Sequence, residues 1–370
     1  MIKRHVATAI GLAAVGTVAL AGCSTGGGET SDVAATATSV ADFGTFADLE
    51  AAAKAEGALN VIALPRDWAN YGEIIDLFAE TYPEIAITEL SPDASSAEEI
   101  EAAKTNDGLD TAPDVFDLGL TVTLANTDMF APYTVQTWDE IPDALKEQSG
   151  LYVGDYGGYM SVGFDSAKFP APTTIEDLLD PAYKGSVAMN GDPTQAGAAF
   201  AAVGLATIQT GGTLDDFTPG IEFFSKLNAV GNLLKLDVTT ATIASGETPV
   251  VFDWDYLNAS HVADNPDWEV VVFPGAGYAA YYNQAINVNA PHPAAARLWQ
   301  EFLYSDAVQN LWLKGGARPV RAEAMLEAGT LDLDLWEALP AAPEETLRPT
   351  AAQSEAAGTL LGETWAAAVS

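Results

Sequence analysis

The stretch PVVFDWDYLN, Pro249 to Asn258, places two carboxylates and two aromatic rings directly after an apolar run. These side chains are Asp253, Trp254, Asp255 and Tyr256. Two carboxylates in a partly dry site can neutralise ammonium groups, and an indole or phenol ring can offer its face to a cation or an alkyl chain. The four residues therefore predict a binding site for a positively charged organic molecule.

A structural role is the alternative for the two carboxylates. Asp253 follows a predicted strand, Val250 to Phe252, and can cap a helix that runs towards Ala263. Asp255 would then lie in the first helical turn, where the helix dipole favours an acid. For Asp255 both interpretations stay open, and for the pair together we favour binding.

The elements that must position these residues alternate along the chain. Apolar spacings of three and four predict helices over Thr45 to Glu56 and Tyr71 to Tyr82. Short apolar runs predict strands over Leu59 to Leu64, Ile85 to Leu90 and Val115 to Leu118. This alternation is typical of an α/β fold.

Ligands in open α/β sheets collect at the carboxyl ends of the strands. Several polar residues follow predicted strands or lie in the glycine-rich stretch near the middle of the chain, and if three of the aspartates reach one cleft, a cation is expected. Besides the four residues above, the candidate ligand-binding residues are Asp67, Trp68, Asp117, Asp155, Tyr159 and Asp192.

Arg66 is the residue that argues against a simple diamine. It could meet a ligand carboxylate or phosphonate, and the ligand would then be a zwitterion or an aminophosphonate. The helix start near Asp192 to Gln195 could also bind an anion. An ion pair with Asp67, or a plain surface charge, is the interpretation of Arg66 that we favour.

The N-terminus has the build of a secretory signal peptide. Lys3 and Arg4 precede an apolar run from Val6 to Leu20 that is too short to span a bilayer comfortably. The run closes on Leu20-Ala21-Gly22-Cys23, which resembles the bacterial lipobox, where the cysteine is lipidated after cleavage. Cys23 is the single cysteine of the chain, so an intramolecular disulfide is excluded.

The segment after Cys23 predicts a tether, and the charge of the mature chain limits its partners. Residues 24–41 are rich in Gly, Ser, Thr and Ala and predict a flexible tether. Loss of residues 1–22 removes Lys3, Arg4 and no acid, which leaves 13 basic and 52 acidic side chains and a formal charge of −39. Such a surface repels phosphate backbones, so no nucleic-acid partner is expected.

Three segments resemble a known family. They are TTIEDLLDPAYKGSVAMNGDPTQAGAAFAAVGLA (173–206), SGETPVVFDWDYLN (245–258) and NAPHPAAARLWQEFLYSDAVQNLWLKGGARPVR (289–321). In this order they are similar to segments of the extracytoplasmic solute-binding proteins of ABC importers, in the branch that includes spermidine/putrescine and ferric-ion binders.

The resemblance implies a two-lobed, periplasmic-binding-protein-like architecture of type II, with the ligand in a cleft between the lobes. The first crossing between the lobes is expected near Tyr156 to Gly163, and the return near Pro274 to Ile286. The expected organisation is a signal peptide (1–22), a tether (23–42), the first part of lobe 1 (43–163), lobe 2 (164–273), and the return crossing with the C-terminal part of lobe 1 (274–370).

The resemblance also implies the ligand class and the partners. In the ferric branch this strand end carries adjacent tyrosines, whereas here Tyr256 stands alone; Tyr281 and Tyr282 are adjacent, but strand alternation turns them to opposite faces. A polyamine or similar organic cation is therefore the leading prediction, and ferric ion is the second. We expect a lipid-anchored monomer on the outer face of the cell membrane that contacts ABC permease subunits.

Other classes of function are less well supported by the residues. A hydrolase needs a positioned serine, a histidine and an acid, and after residue 22 the chain keeps only His261 and His292. No cofactor and no metal site is predicted. A secreted lipid-anchored enzyme, or a sensor of the solute, is the alternative on the same scaffold.

Overall fold

The computed structural model describes residues 33–370. The predicted signal peptide and Cys23 lie outside these residues. The helices, in chain order, are α1 (Val40–Phe43), α2 (Phe46–Glu56), α3 (Tyr71–Thr81), α4 (Ser96–Thr105), α5 (Leu120–Ala125), α6 (Gly197–Gln209), α7 (Thr218–Ala229), α8 (Thr240–Ser245), α9 (Asp255–Ser260), α10 (Pro293–Leu303), α11 (Asp306–Lys314), α12 (Ala322–Ala328), α13 (Leu333–Ala338) and α14 (Ala351–Ala368).

The strands alternate with these helices, which confirms the predicted α/β class. They are β1 (Ala58–Ile62), β2 (Ala86–Leu90), β3 (Val115–Leu118), β4 (Phe130–Ala131), β5 (Val153–Asp165), β6 (Val187–Met189), β7 (Val250–Trp254), β8 (Trp268–Val271), β9 (Ala276–Asn287), β10 (Arg318–Pro319) and β11 (Glu345–Leu347).

Capping residues fix both ends of helix α2, which the sequence predicts over Thr45 to Glu56. Helix α2 begins after Thr45, whose Oγ1 accepts from the Asp48 amide at 3.2 Å, while Asp48 Oδ2 accepts from the Thr45 amide at 3.1 Å. This reciprocal capping box satisfies two amides that the helix leaves free. The helix ends at Gly57, which adopts a left-handed conformation with φ of 72°.

The main sheet has the order β11-β9-β5-β7-β6, and β1 pairs with β2 in a separate parallel pair. Strands β5 and β9 are long and antiparallel to each other. The second half of β5 pairs with β7 and β8, whereas the second half of β9 pairs with β3 and β4. Both strands therefore run through the two halves of the molecule, as connecting strands of a two-lobed type II protein do.

The two halves meet closely at Gly119, after β3, and Gly197, at the start of α6. A Cβ atom built on Gly119 would lie 2.9 Å from the Gly197 Cα atom, which is closer than real Cβ contacts. Glycine at this position lets the two backbones approach. The C-terminal helix α14 contacts both α5 and α7, and Trp365 packs on Phe224 with ring centroids 5.8 Å apart.

The predicted flexible tether is wrong for its described part, residues 33–42. Ala34 and Ala37 are buried, and the buried Arg297 donates from Nε to the Ala37 carbonyl at 2.7 Å. Small side chains let this segment lie flat on the protein, and its carbonyls satisfy a buried guanidinium that would otherwise be costly. Across residues 33–370, no helix is both long and apolar enough to cross a bilayer.

Candidate functional site

A cleft of about 850 Å³ lies between the two halves of the molecule. Residues that follow β1 and β2, together with part of β3, line it from one half, and residues that follow β6, with helices α8 and α9, line it from the other. Tyr282, on the long strand β9, also lines the cleft. Its volume lies in the range that small-molecule ligands occupy.

The cleft is lined by carboxylates. None of its lining residues in the described part of the chain is a lysine or an arginine. His261 is present, but burial lowers its pKa and keeps it neutral at pH 7. Such a cleft attracts cations and repels anions. The acidic lining residues are Asp67, Asp93, Glu98, Glu99, Asp117, Asp192, Asp237 and Asp253.

Asp253 lines the cleft from strand β7, with 3 % of its surface exposed. Its Oδ1 accepts from the Trp254 amide at 2.8 Å, and its Oδ2 accepts from Asn190 Nδ2 at 2.9 Å. Helix α9 takes Trp254 as its N-cap residue, so Asp253 does not cap it. Burial raises the pKa of Asp253 to about 7, and a cation bound beside it would stabilise the charged form.

Asp117 lines the cleft from the opposite half and is 6 % exposed. Its Oδ2 accepts hydrogen bonds from the hydroxyls of Tyr71, at 3.0 Å, and Tyr156, at 2.9 Å. Its Oδ1 is buried and has no hydrogen-bond partner among residues 33–370. Burial raises the pKa of Asp117 to about 7 against the opposing effect of the two tyrosines.

Glu99 is a cleft residue that the sequence analysis missed. It lies on α4, is 1 % exposed, and its Oε2 accepts from the Asp117 amide at 3.1 Å. Burial, followed by the charge of Asp117, raises the pKa of Glu99 well above its ordinary range. The rule that points to strand ends would have found it, because Glu99 follows the predicted second strand within the SSAEEI stretch, Ser95 to Ile100.

Trp68 and Tyr282 supply aromatic surface to the cleft. Their rings meet edge to face with centroids 5.7 Å apart, and Trp68 Nε1 donates to the Tyr156 hydroxyl at 2.8 Å. Trp68 is half-buried, so part of its ring is open to a ligand. Such a pair can pack against the methylene groups of an elongated cation.

Asp67 and Asp192 also line the cleft, but both are exposed. Asp192 Oδ1 accepts from the Thr194 amide at 2.8 Å, in the turn that leads into α6. The structure thus brings five of the ten predicted ligand-binding residues to one cleft. These are Asp67, Trp68, Asp117, Asp192 and Asp253.

The predicted placement of Asp255 and Tyr159 in the cleft is wrong. Asp255 is fully buried, and its Oδ2 accepts from Arg318 Nη1 at 2.8 Å while its Oδ1 accepts from the Tyr159 amide at 2.9 Å. The Arg318 guanidinium lies over the Tyr159 ring, 4.2 Å from its centroid. Burial raises the pKa of Asp255, and Arg318 opposes that rise. Both residues therefore belong to a buried ion-pair cluster.

The other three predicted residues, Asp155, Trp254 and Tyr256, are also buried outside the cleft lining. Asp155 Oδ2 accepts from Gln284 Nε2 at 2.9 Å. The Tyr256 ring packs on Tyr156 with centroids 5.9 Å apart. Trp254 lines a second pocket of about 140 Å³. Their predicted placement in the cleft is wrong because their side chains pack into the core.

Arg66 and Tyr281 stand apart from the cleft. Arg66 is an exposed charge, as the second of its two favoured interpretations has it, but it forms ion pairs with Asp76 and, at 2.8 Å, with Glu89, so the predicted pairing with Asp67 is wrong. Tyr281 packs under Arg348, with 5.2 Å from the guanidinium carbon to the ring centroid, while its neighbour Tyr282 lines the cleft. The expected alternation of the two tyrosines on strand β9 is confirmed.

The model of a family described as bacterial extracellular solute-binding protein matches residues 112–338. No curated protein sequence matches the chain. Among solved structures, the periplasmic binding protein AgtB of A. tumefaciens R10, in complex with agropinic acid, is 15 % identical with a TM-score of 0.66. The alignment covers 85 % of this chain and 98 % of that one.

Two further structures are similar. A putative spermidine/putrescine ABC transporter from Listeria monocytogenes is 12 % identical with a TM-score of 0.65, over 84 % of this chain and 98 % of that chain. The ferric binding protein from Campylobacter jejuni is 16 % identical with a TM-score of 0.62, over 84 % and 99 %. At these identities the likeness shows the fold. Because the family model matches more than half of its length, this chain belongs to the bacterial extracellular solute-binding proteins.

Proposed function

We propose that this protein binds a polyamine or a similar organic cation and delivers it to an ABC importer. The observation that carries the proposal is the cleft lining, which contains eight carboxylates and, among the described residues, neither lysine nor arginine. A cleft built for an anion such as sulfate or a sugar phosphate would need donors or cations in place of these acids.

The carboxylates stand on both sides of the cleft, which suits an elongated molecule with a charge at each end. Asp117 and Glu99 lie in one half, and Asp253 lies in the other. All three are buried, and within residues 33–370 none of them has a cationic side chain as a hydrogen-bond partner. A hydrogen bond from an ammonium group to such a carboxylate contributes roughly 1.5 to 3 kcal/mol. Two such anchors would hold the solute and draw the lobes together.

Trp68 and Tyr282 support the same ligand class. Both line the cleft and meet edge to face, so they present apolar surface next to the acids. A polyamine combines ammonium groups with methylene segments, and it can use acids and rings at the same time. A bare metal ion would leave this aromatic surface unused.

We also propose a domain organisation and a cellular location for the protein. We assign lobe 1 to residues 43–163 with 274–370, and lobe 2 to residues 164–273, because β5 and β9 pair with strands of both halves. Cys23 would carry the lipid that keeps the protein at the outer face of the cell membrane. The protein would act as a monomer that presents its closed form to the permease.

A thermal-shift panel tests the ligand class in one experiment. It would contain putrescine, spermidine, ferric citrate, aminoethylphosphonate, sulfate and fructose 6-phosphate. A ligand present at about a hundred times its Kd stabilises the folded state by roughly 2.7 kcal/mol, which is a measurable shift for a protein of this size. We expect the two polyamines to raise the melting temperature. If ferric citrate or an anion raises the melting temperature and the polyamines do not, the proposed organic-cation ligand is wrong.

A further inference from the structure

Glu99 and Asp117 form a buried pair of acids at one side of the cleft. The Asp117 amide donates to Glu99 Oε2 at 3.1 Å, which fixes the two side chains as neighbours. Both side chains are more than nine-tenths buried, and both line the cleft. Asp117 Oδ2 already accepts two tyrosine hydroxyls, while Oδ1 is buried and meets no donor within residues 33–370. The pair thus offers one unused acceptor.

The titratable groups that face this pair come from several elements packed around it, and in the described part of the chain none of them is a cation. They are neutral phenols or further acids, so nothing in this surrounding can neutralise two charged carboxylates. The groups are Tyr71 on α3, Asp155 and Tyr156 on β5, Tyr282 on β9, Tyr304 after α10, and Asp253 and Tyr256 from the other half.

A proton is the remaining way to neutralise the pair in the empty cleft. Burial raises the pKa of both carboxyls, and the charge of Asp117 raises that of Glu99 further. The free Oδ1 of Asp117 is a position where a proton can sit, because the two tyrosines occupy Oδ2. An arriving cation would remove the need for this proton.

We propose that Glu99 and Asp117 form a two-acid seat that gives up a proton when an ammonium group of the solute docks on it. The proton leaves the carboxylic acid for bulk water, and the ammonium keeps its own protons and donates an N–H to Asp117 Oδ1. This inference rests on the proposed function, since it requires a cationic solute. It narrows the ligand class to cations that carry N–H donors.

Calorimetry in two buffers measures the proton directly. Spermidine is titrated into the protein at pH 7 in phosphate and in imidazole, whose enthalpies of ionisation differ. The difference between the two observed enthalpies gives the number of protons released. We expect at least about half a proton to be released per spermidine at pH 7, where Asp117 is half protonated, and a Kd for spermidine that decreases as the pH is raised towards 7.

Variants assign the proton to the seat. Asp117→Asn keeps an acceptor for the tyrosines but cannot hold the exchangeable proton, so proton release should fall, and the release that remains should come from Asp253, whose pKa is also about 7. Glu99→Gln removes the other acid of the pair and should lower the number of released protons in the same way. Glu327→Gln is the control, because it removes an exposed acid outside the cleft and should leave the proton number unchanged.

The outcomes separate this inference from the proposed function. If spermidine binds with equal enthalpies in the two buffers, the proton exchange is overturned and the cation-binding function stands. Proton release that is as large in Asp117→Asn and Glu99→Gln as in the wild type likewise overturns the two-acid seat. If neither spermidine nor putrescine binds the wild-type protein, both proposals fall. Equal enthalpies for the wild type overturn the inference even if a variant does not fold.

Discussion

Thr240 Oγ1 donates a hydrogen bond to Asp67 Oδ2 at 2.7 Å, and this bond links the two sides of the cleft. Asp67 belongs to the loop after β1, and Thr240 is the first residue of α8. Both residues are exposed cleft-lining residues. The bond therefore joins the halves at a place where solvent competes with it, and a net contribution of about 0.5 to 1.5 kcal/mol is expected.

Removal of this hydrogen bond should weaken solute binding without loss of the fold. Thr240→Val keeps the shape of the side chain and deletes the donor, so the Kd for spermidine should rise by about two- to tenfold. Thr240→Ser retains the hydroxyl and should bind as the wild type does. Calorimetry on the two variants checks the expectation, and equal affinities for Val and Ser would show that the bond contributes nothing to closure.

Asp253→Asn should weaken binding of a cation and at the same time stabilise the empty protein. The loss of a charged partner in the cleft should raise the Kd by about tenfold to a hundredfold. The folded-state pKa of Asp253 lies above its ordinary value of 3.8, at about 7. The folded state therefore binds a proton on Asp253 more tightly than the unfolded state does. The resulting contribution to folding stability is lost as the pH rises from about 4 to 7.

The stability effect of Asp253→Asn thus depends on pH. At pH 8 the variant avoids the cost of a buried charge, so its free energy of unfolding should exceed that of the wild type by on the order of 2 kcal/mol. At pH 4 the two proteins should unfold alike. Glu327→Gln removes an exposed charge outside the cleft and serves as the control. If Asp253→Asn binds spermidine as tightly as the wild type does, Asp253 is not part of the binding site.

The ion pair between Asp255 and Arg318 should be structural. Asp255→Asn or Arg318→Met leaves one member of a buried pair without its partner, which costs roughly 3 kcal/mol or more of folding stability. The double variant should recover part of this loss, since no charge is then left unpaired. Urea unfolding of the three variants measures the pattern. A single variant of wild-type stability would contradict this role.

The contrast between Asp253 and Asp255 shows what the sequence could predict. The apolar run before Asp253 and the rule of strand ends were enough to place Asp253 in the cleft. Asp255 fails because β7 ends at Trp254 and α9 begins at Asp255, so the two acids do not share one face. Its partner Arg318 lies 63 residues away and arrives through the pairing of β10 with β5, which no local pattern reveals.

Alternation of apolar segments was sufficient for the α/β class, and the predicted helix over residues 45–56 matches α2. The tether prediction failed in its described part because composition does not show that carbonyls such as that of Ala37 satisfy the buried Arg297. Glu99 was missed because its strand end was not inspected, although the same rule applied there. Long-range pairing, more than local propensity, separates the predicted from the unpredicted parts.

The proposed lipidation of Cys23 can be tested independently of the ligand. Cys23→Ser should leave the protein without lipid, so that it is released into the medium or kept with an uncut signal peptide. Metabolic labelling with a fatty-acid probe reads this directly. Label that persists in the variant would mean that another residue carries the anchor.

The most direct test of the central claim is a calorimetric titration of the purified protein with spermidine and, separately, with sulfate, at pH 8 and low salt. We expect one spermidine per chain, a Kd in the micromolar range or below, and a lower affinity in each of the single variants Asp253→Asn and Asp117→Asn. We expect no heat with sulfate. Saturable binding of sulfate together with no binding of spermidine would contradict the account, because a cleft lined by eight carboxylates would then hold an anion.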